Sequence, residues 1–522
     1  MKIKYFITVL SIVLLFCGCG QKEEILEFPP SVPTTVATAE ATEMPTVEPT
    51  VEPTAEPTAV PTPEPTIEPT AEPTEAPTPE PTVAPTAMPT EVPTPEPALE
   101  PTAEPTEAPT PEPVAVATDA PAHVPDITAA PIEQPSPVPV QQEASDDWYQ
   151  HMLNTSILST GTNGRLEKFI QKLKNDEPVS IVTFGGSITE GAGAVNFTYS
   201  YSDHFVNSLL QTYPLTSGKY HNSGLGGTPS TLGLMRYERD VTEILGDNPD
   251  LVIIEFAVND YEEPTDGRAY ESLVRTILEK DEDTAVILLF SVFKSKWNLQ
   301  DDYIPIGEHY GLPMVSIKDA IATAYAGNHL NDTEFFADIY HPTNYGHEIM
   351  SDCLMELITR VAQKDLTQPI TPLPETDVYG ADFMDMQFIT ATNHAGGTVT
   401  AGSFTGQDRT LQTFSRTAQG AFPDNWMHLP EAGDEALCLE LTCKNILLSY
   451  KLSSSQNFGK ASIYIDGQLV RELNGHVNGG WNNTETVLLL DEDTATSHKL
   501  EMKMSEGQSQ QYFTVLGIGY TQ

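Results

Sequence analysis

From about Phe28 to Glu143 the chain repeats Glu-Pro-Thr, Ala-Pro-Thr and Pro-Thr-Pro units, and most of its 44 prolines are crowded there. Proline fixes φ and removes a backbone donor. With almost no aromatic residues and no periodic apolar face, such a stretch cannot bury a core and is expected to be disordered. Polyproline II bias and repulsion between glutamates predict a semi-extended stalk, with a contour of roughly 300 Å or more at ~3.1 Å per residue. Its threonines offer sites for O-linked sugar. What remains of the 522 residues is about two domains' worth of foldable sequence.

Before the stalk, Met1-Lys2-Ile3-Lys4 and an apolar run from about Tyr5 to Phe16 have the charged and hydrophobic parts of a secretory signal, and the run is too short to span a bilayer. It ends in Leu15-Phe16-Cys17-Gly18-Cys19-Gly20, which resembles a bacterial lipobox. On that reading residues 1–18 are the leader and Cys19 becomes a lipidated N-terminus, a membrane anchor at the bacterial cell surface; plain secretion is the alternative. Cys353, Cys438 and Cys443 are then left for the folded part, too few for a disulfide framework. The net charge of -48, from 74 acidic against 26 basic residues, repels phosphate backbones and argues against nucleic acid as a partner.

After a linker assigned to 19–146, apolar runs and helical stripes alternate over 147–368. Val179–Phe184, Leu251–Ala257 and Ala285–Phe290 read as strands buried on both faces of a parallel sheet. Leu166, Phe169, Ile170 and Leu173 make a helical stripe, as do Leu273, Val274, Ile277 and Leu278, and Met350 to Val361 mark a closing helix. This alternation implies an α/β/α sandwich. A proline-rich break around Thr367–Asp377 separates it from 375–522, where alternating patterns such as Lys460–Ile465 and Leu500–Met504, with a hairpin signal at Asp466-Gly467, predict an all-β sandwich or jelly roll.

Four short segments carry the chemistry. Strand Ser180–Phe184 runs into Gly185-Gly186-Ser187-Ile188-Thr189, where glycines permit a sharp turn presenting Ser187 at the carboxyl edge of the sheet; alone, this is as readily a helix N-cap. Asp338-Ile339-Tyr340-His341 places a carboxylate three residues from an imidazole, a spacing that lets it orient the ring through Nδ1. Between them stand Asn222-Ser-Gly-Leu-Gly226-Gly227 and Val258-Asn259-Asp260, in loops able to face Ser187.

Taken together, in this order and spacing over about 200 residues, the four segments resemble the SGNH (GDSL-type) hydrolases. The resemblance implies acyl transfer: Ser187 as nucleophile, His341 as base, Asp338 as its orienting carboxylate, and an oxyanion hole from the backbone N–H of Ser187 and Gly227 and the amide of Asn259. It implies no cofactor and no metal. One departure is Ala257, where the family has glycine, a methyl expected to narrow the pocket.

Asp260 is a candidate for substrate contact or for capping a loop. Trp426 and Trp481 are candidates for stacking on sugar rings, with core packing equally open. Arg236 and Arg239 are expected to make surface ion pairs, and His347 to lie on a helix face rather than in a metal site. An anchored external esterase suits a polymer substrate, so the expectation is removal of O-acetyl groups from a polysaccharide. A lipase or lysophospholipase on the same scaffold, or a non-catalytic wall-binding protein, are the competing readings; the polar and aromatic segments after Asn196 and Asp260 favour a short acyl group. The resemblance extends to carbohydrate acetyl esterases with an accessory jelly roll.

Overall fold

The computed structural model describes residues 26–27 and 146–522. The predicted leader, the lipidation expected at Cys19 and the stalk therefore lie outside the described residues. Residues 146–522 belong to one compact unit.

The first half is built on a seven-stranded sheet. Its five parallel strands lie in the order Gly218–Gly224, Val179–Gly185, Leu251–Glu255, Ala285–Phe290, Pro313–Ser316, and antiparallel edges are supplied by Leu26–Glu27 and Ile157–Thr160. By order of appearance this is 2-1-3-4-5, whose crossovers change direction between the first and third strands, the place where doubly wound sheets open a crevice for ligand. The chain leaves the first strand at Ser187, and Asn259 comes just after the third.

The continuous apolar runs are explained by burial on both sides. Ile181, Ile253 and Ile287 face one cluster, with helices Arg165–Lys174 and Asn344–Ala362. Val182, Phe184, Ile254 and Leu288 face a second, under helices Ser230–Tyr237 and Arg268–Lys280. Successive strand residues point to opposite faces, so both sets must be apolar. The expected helices and the three expected strands are present, the second strand ending at Glu255 rather than Ala257. Strand Gly218–Gly224 has no apolar signal in the sequence, because apart from Tyr220 its buried side chains are polar: His221 bonds Asp240 O, Asn222 bonds Thr189 O and Ser202 Oγ, and Ser223 accepts from Arg236.

The second half is all antiparallel: an eight-stranded sheet dominated by Leu437–Ser453 and Trp481–Met504, with register shifts in both long strands. Its core contains Trp426, Phe404, Ile446, Ile463 and Phe513. Cys353 and Cys443 are buried, Cys438 is partly so, and all three are free thiols.

The two halves share a core. The cluster on the second face of the parallel sheet continues into Phe383, Phe414, Phe422, Leu447 and Leu516. The connecting segment is tied down as well, since the buried carboxylate of Glu271 accepts the backbone N–H groups of Val378, Tyr379 and Gly380. Arg268 pairs with Asp491 and Asp382 at the same junction.

Candidate active site

Ser187 stands at the start of a single helical turn, Ser187–Glu190, directly after the parallel strand. Gly186 is required by a close approach: a β-carbon there would lie 2.1 Å from Asn259 Oδ1, so the amide of Asn259 lies across the backbone just before Ser187. That Oδ1 is buried with no partner among the described residues, an unsatisfied polar group of the kind active sites retain. Asn222 ties the turn to the next strand, donating to Thr189 O at 2.7 Å and accepting from Gly224 N at 2.9 Å.

His341 reaches Ser187 from the loop before helix Asn344–Ala362. Its Nε2 is 3.0 Å from Ser187 Oγ and its Nδ1 is 2.8 Å from Asp338 Oδ2. Asp338 Oδ1 accepts the N–H groups of Tyr340 and His341 at 2.7 and 2.8 Å, folding the loop around the carboxylate. Partial burial works to raise the Asp338 carboxyl, but the His341 ring and these two N–H donors outweigh it and hold the group below the usual carboxylate range. The arrangement is an acceptor, a two-ended imidazole and a hydroxyl in series, able to draw a proton from Ser187 Oγ as it attacks.

Gly227 adopts φ 64°, and the preceding Gly226 packs toward the nucleophile, an ideal β-carbon there lying 3.7 Å from Ser187 Cβ. Trp481, from the β half, covers this loop; a β-carbon at Gly227 would lie 3.2 Å from its indole. Trp481 keeps 57% of its surface exposed. On the His341 side a second aromatic row runs outward through contacts of Tyr340 with His341, Phe293 with Tyr340, Trp297 with Phe293 and Tyr261 with Trp297. Partly exposed aromatic side chains thus adjoin both the Gly226-Gly227 loop and His341, the two neighbours of Ser187.

The structure corrects several expectations and decides the alternatives left open for Trp426 and Asp260, against substrate contact in both cases. Trp426 is 3% exposed in the β core and cannot stack on a sugar. Asp260 is also buried and its oxygens are occupied, Oδ1 by Ser230 N–H and Oδ2 by the Tyr303 hydroxyl, so it caps a helix instead of touching substrate. Burial pushes its carboxyl up to about 7 against those two hydrogen bonds. Ala257 is fully buried and joins the core, so its methyl does not narrow the site.

Arg236 does form an ion pair, with Asp240 at 3.2 Å, but a buried one: lying 4.4 Å over the Phe184 ring, it also donates to Gly185 O and Ser223 O, fastening the ends of two strands beside the site. Arg239 does pair with Asp240, at the junction with the β half beside Phe388 and Phe422. His347 is buried, receiving Tyr201 N–H at Nδ1 and donating from Nε2 to Ala192 O. It holds the loop next to Ser187 as a neutral ring.

Residues that local pattern could not reveal come from the β half. Gln412 donates to Gly226 O, Ser415 donates to Glu190, and Arg416 pairs with Asp203. None sits in a motif, and their signal exists only in three dimensions.

Residues 183–349 match the model of the GDSL-like Lipase/Acylhydrolase family, and residues 36–71 that of the PT disordered repeat. Among solved structures, a two-domain esterase active on acetylated mannans is similar over 71% of this chain and 99% of its own, at 25% identity and a TM-score of 0.62. A two-domain esterase of the same description, co-crystallized with mannopentaose, is 24% identical over 71% of this chain and 98% of its own, with a TM-score of 0.61. No curated protein sequence matches.

Proposed function

We propose that this chain, a carboxylic ester hydrolase of the SGNH/GDSL type, removes O-acetyl groups from a polysaccharide outside the cell, where a lipid on Cys19 and the stalk hold it. Ser187, His341 and Asp338 are its triad. The oxyanion hole consists of Ser187 N–H, Gly227 N–H and Asn259 Nδ2.

The observation that carries the reading is the unbroken series from Asp338 through His341 to Ser187, at 2.8 and 3.0 Å. Ser187 Oγ attacks the acetyl carbonyl carbon while His341 Nε2 takes its proton, and the carbonyl oxygen becomes an oxyanion met by the three donors. Collapse breaks the ester bond, and the imidazolium returns the proton to the departing sugar oxygen. Water, deprotonated by His341, then attacks the acetyl-enzyme; acetate leaves and Ser187 recovers its proton.

The polymer is read from these aromatic side chains. Exposed indole and phenol faces beside the Gly226-Gly227 loop and His341 suit sugar rings, and the similar two-domain esterase acts on acetylated mannans.

Acetate release from acetylated mannan, xylan and peptidoglycan, with p-nitrophenyl acetate as a soluble reference, tests this. Release from one polymer that falls by about 10⁴ or more in Ser187→Ala is the expected result. Preference for long-chain acyl esters over every acetylated glycan would instead support a lipase, and no turnover on any ester would overturn the assignment.

A further inference from the structure

We infer that Gln412, a residue of the β half, is a positioning residue for the oxyanion hole, so that the second domain is part of the catalytic machinery rather than only a sugar-binding appendage. The inference rests on the proposed roles of Ser187 and Gly227.

Gln412 is 8% exposed and its amide is fixed at both ends. Oε1 accepts Thr484 N–H at 3.0 Å, so the other end must be the amino group, and Nε2 donates to Gly226 O at 2.6 Å. The peptide linking Gly226 to Gly227 is planar and trans, which points its C=O and N–H in opposite directions. A donor that holds Gly226 O on the β side therefore turns Gly227 N–H toward the opposite side, where Gly226 packs against Ser187. Gly227 has the positive φ that glycine adopts readily, and such a peptide can rotate at little cost unless something holds it.

The neighbouring contacts make the same connection. Trp481 and Thr484 lie on one strand, the first covering Gly227 and the second anchoring Gln412. Ser415 N–H donates to Glu190 Oε1 at 3.2 Å, holding in place a carboxylate whose other oxygen would lie 3.0 Å from a β-carbon on Gly226. Arg416 grips Asp203 at 2.8 Å. A single arm of the β half thus sets the peptide that supplies one donor and restrains the carboxylate beside it.

The test uses the full chain with p-nitrophenyl acetate, a substrate too small to need a glycan-binding surface. Gln412→Met keeps the shape and removes both hydrogen bonds; Gln412→Glu keeps the acceptor for Thr484 and sets an anion against Gly226 O. Active-site titration with a fluorophosphonate corrects kcat for the fraction folded. Arg268→Ala, which breaks the interdomain pairs with Asp491 and Asp382 away from the site, controls for loosening of the interface.

The expected result is a fall in kcat of about 10- to 100-fold in both Gln412 variants with KM within about twofold, less than the ~10²–10³ for outright loss of a donor. Inhibition by a boronic acid, whose tetrahedral adduct on Ser187 places an oxygen in the hole, should weaken in parallel, whereas inhibition by planar acetate should not. Arg268→Ala should lower Tm and leave kcat unchanged. Titration-corrected kcat within twofold of the parent in both Gln412 variants, or a loss confined to KM, would overturn the inference. Neither outcome touches the esterase assignment, which fails if the parent turns over no ester, or the role of Ser187, which fails if Ser187→Ala retains activity.

Discussion

The parallel-sheet half and the β half both reach Ser187, and they do so by different means. The first delivers its groups from strand ends: Ser187 after one strand, Asn259 after another, and Asp338 with His341 on one short loop. Each arrives with its neighbours in sequence, because a strand that stops at a sheet edge fixes the position of the next few residues. The β half contributes Gln412, Ser415 and Trp481, separated along the chain and brought together by a shared core. Reacting groups can therefore be local in sequence while the parts that hold them are not. The difference predicts that damage to the first half destroys chemistry and damage to the second degrades geometry or recognition.

Outside the triad, the largest effect is expected at Asn259. Asn259→Ala should lower kcat about 10²–10³-fold with Tm nearly unchanged, measured on p-nitrophenyl acetate. A loss below about fivefold would remove its amide from the oxyanion hole and blur the contrast between the halves.

The two tryptophans sharpen the comparison within the β half. Trp481→Ala should raise KM for acetylated mannan about tenfold while leaving turnover of p-nitrophenyl acetate within about threefold, as loss of one stacking face predicts. Trp426→Ala should instead cost about 3–5 kcal/mol of stability, read by chemical denaturation, with the kinetics of the folded fraction intact. Equal effects of the two substitutions on KM would contradict the assignment of one to the surface and the other to the core.

A smaller effect concerns pH. Burial brings the His347 ring down to about 4, opposed by its bond to Ala192 O. The unfolded chain titrates this ring near ~6.5, so between that value and about 4 the unfolded state binds more protons. Its contribution to stability is complete above pH ~6.5 and is lost as pH falls toward 4. The Tm of His347→Gln should accordingly change less over that window than the parent's, in differential scanning fluorimetry. Parallel curves would show that the ring is not held neutral.

Much of this architecture was legible in the sequence because two physical signals are local. Strands covered on both faces, such as Ala285–Phe290, must be apolar throughout, and helices facing a core carry stripes, as Leu273, Val274 and Ile277 do. The four motif segments were equally readable. Strand Gly218–Gly224 was not, because most of its buried side chains, His221 to Ser223, are satisfied by hydrogen bonds instead of apolar surface. Arg236 looked like a surface charge because a pair with Asp240 four residues on is usually an exposed helix pair; its burial and its bonds to the carbonyls of Gly185 and Ser223 exist only in three dimensions. Trp426 and Trp481 are identical as residue types, and burial alone separates them. Gln412 lies in a stretch without periodicity, so only its contacts reveal it.

The central claim is that Ser187 is a nucleophile activated by His341. Reaction of the full chain with a fluorophosphonate, with mass spectrometry of its peptides, tests it directly. The account predicts stoichiometric labelling on Ser187, slowed by at least about 10³-fold in His341→Ala. Labelling that falls on another residue, or that proceeds as fast without His341, would contradict it.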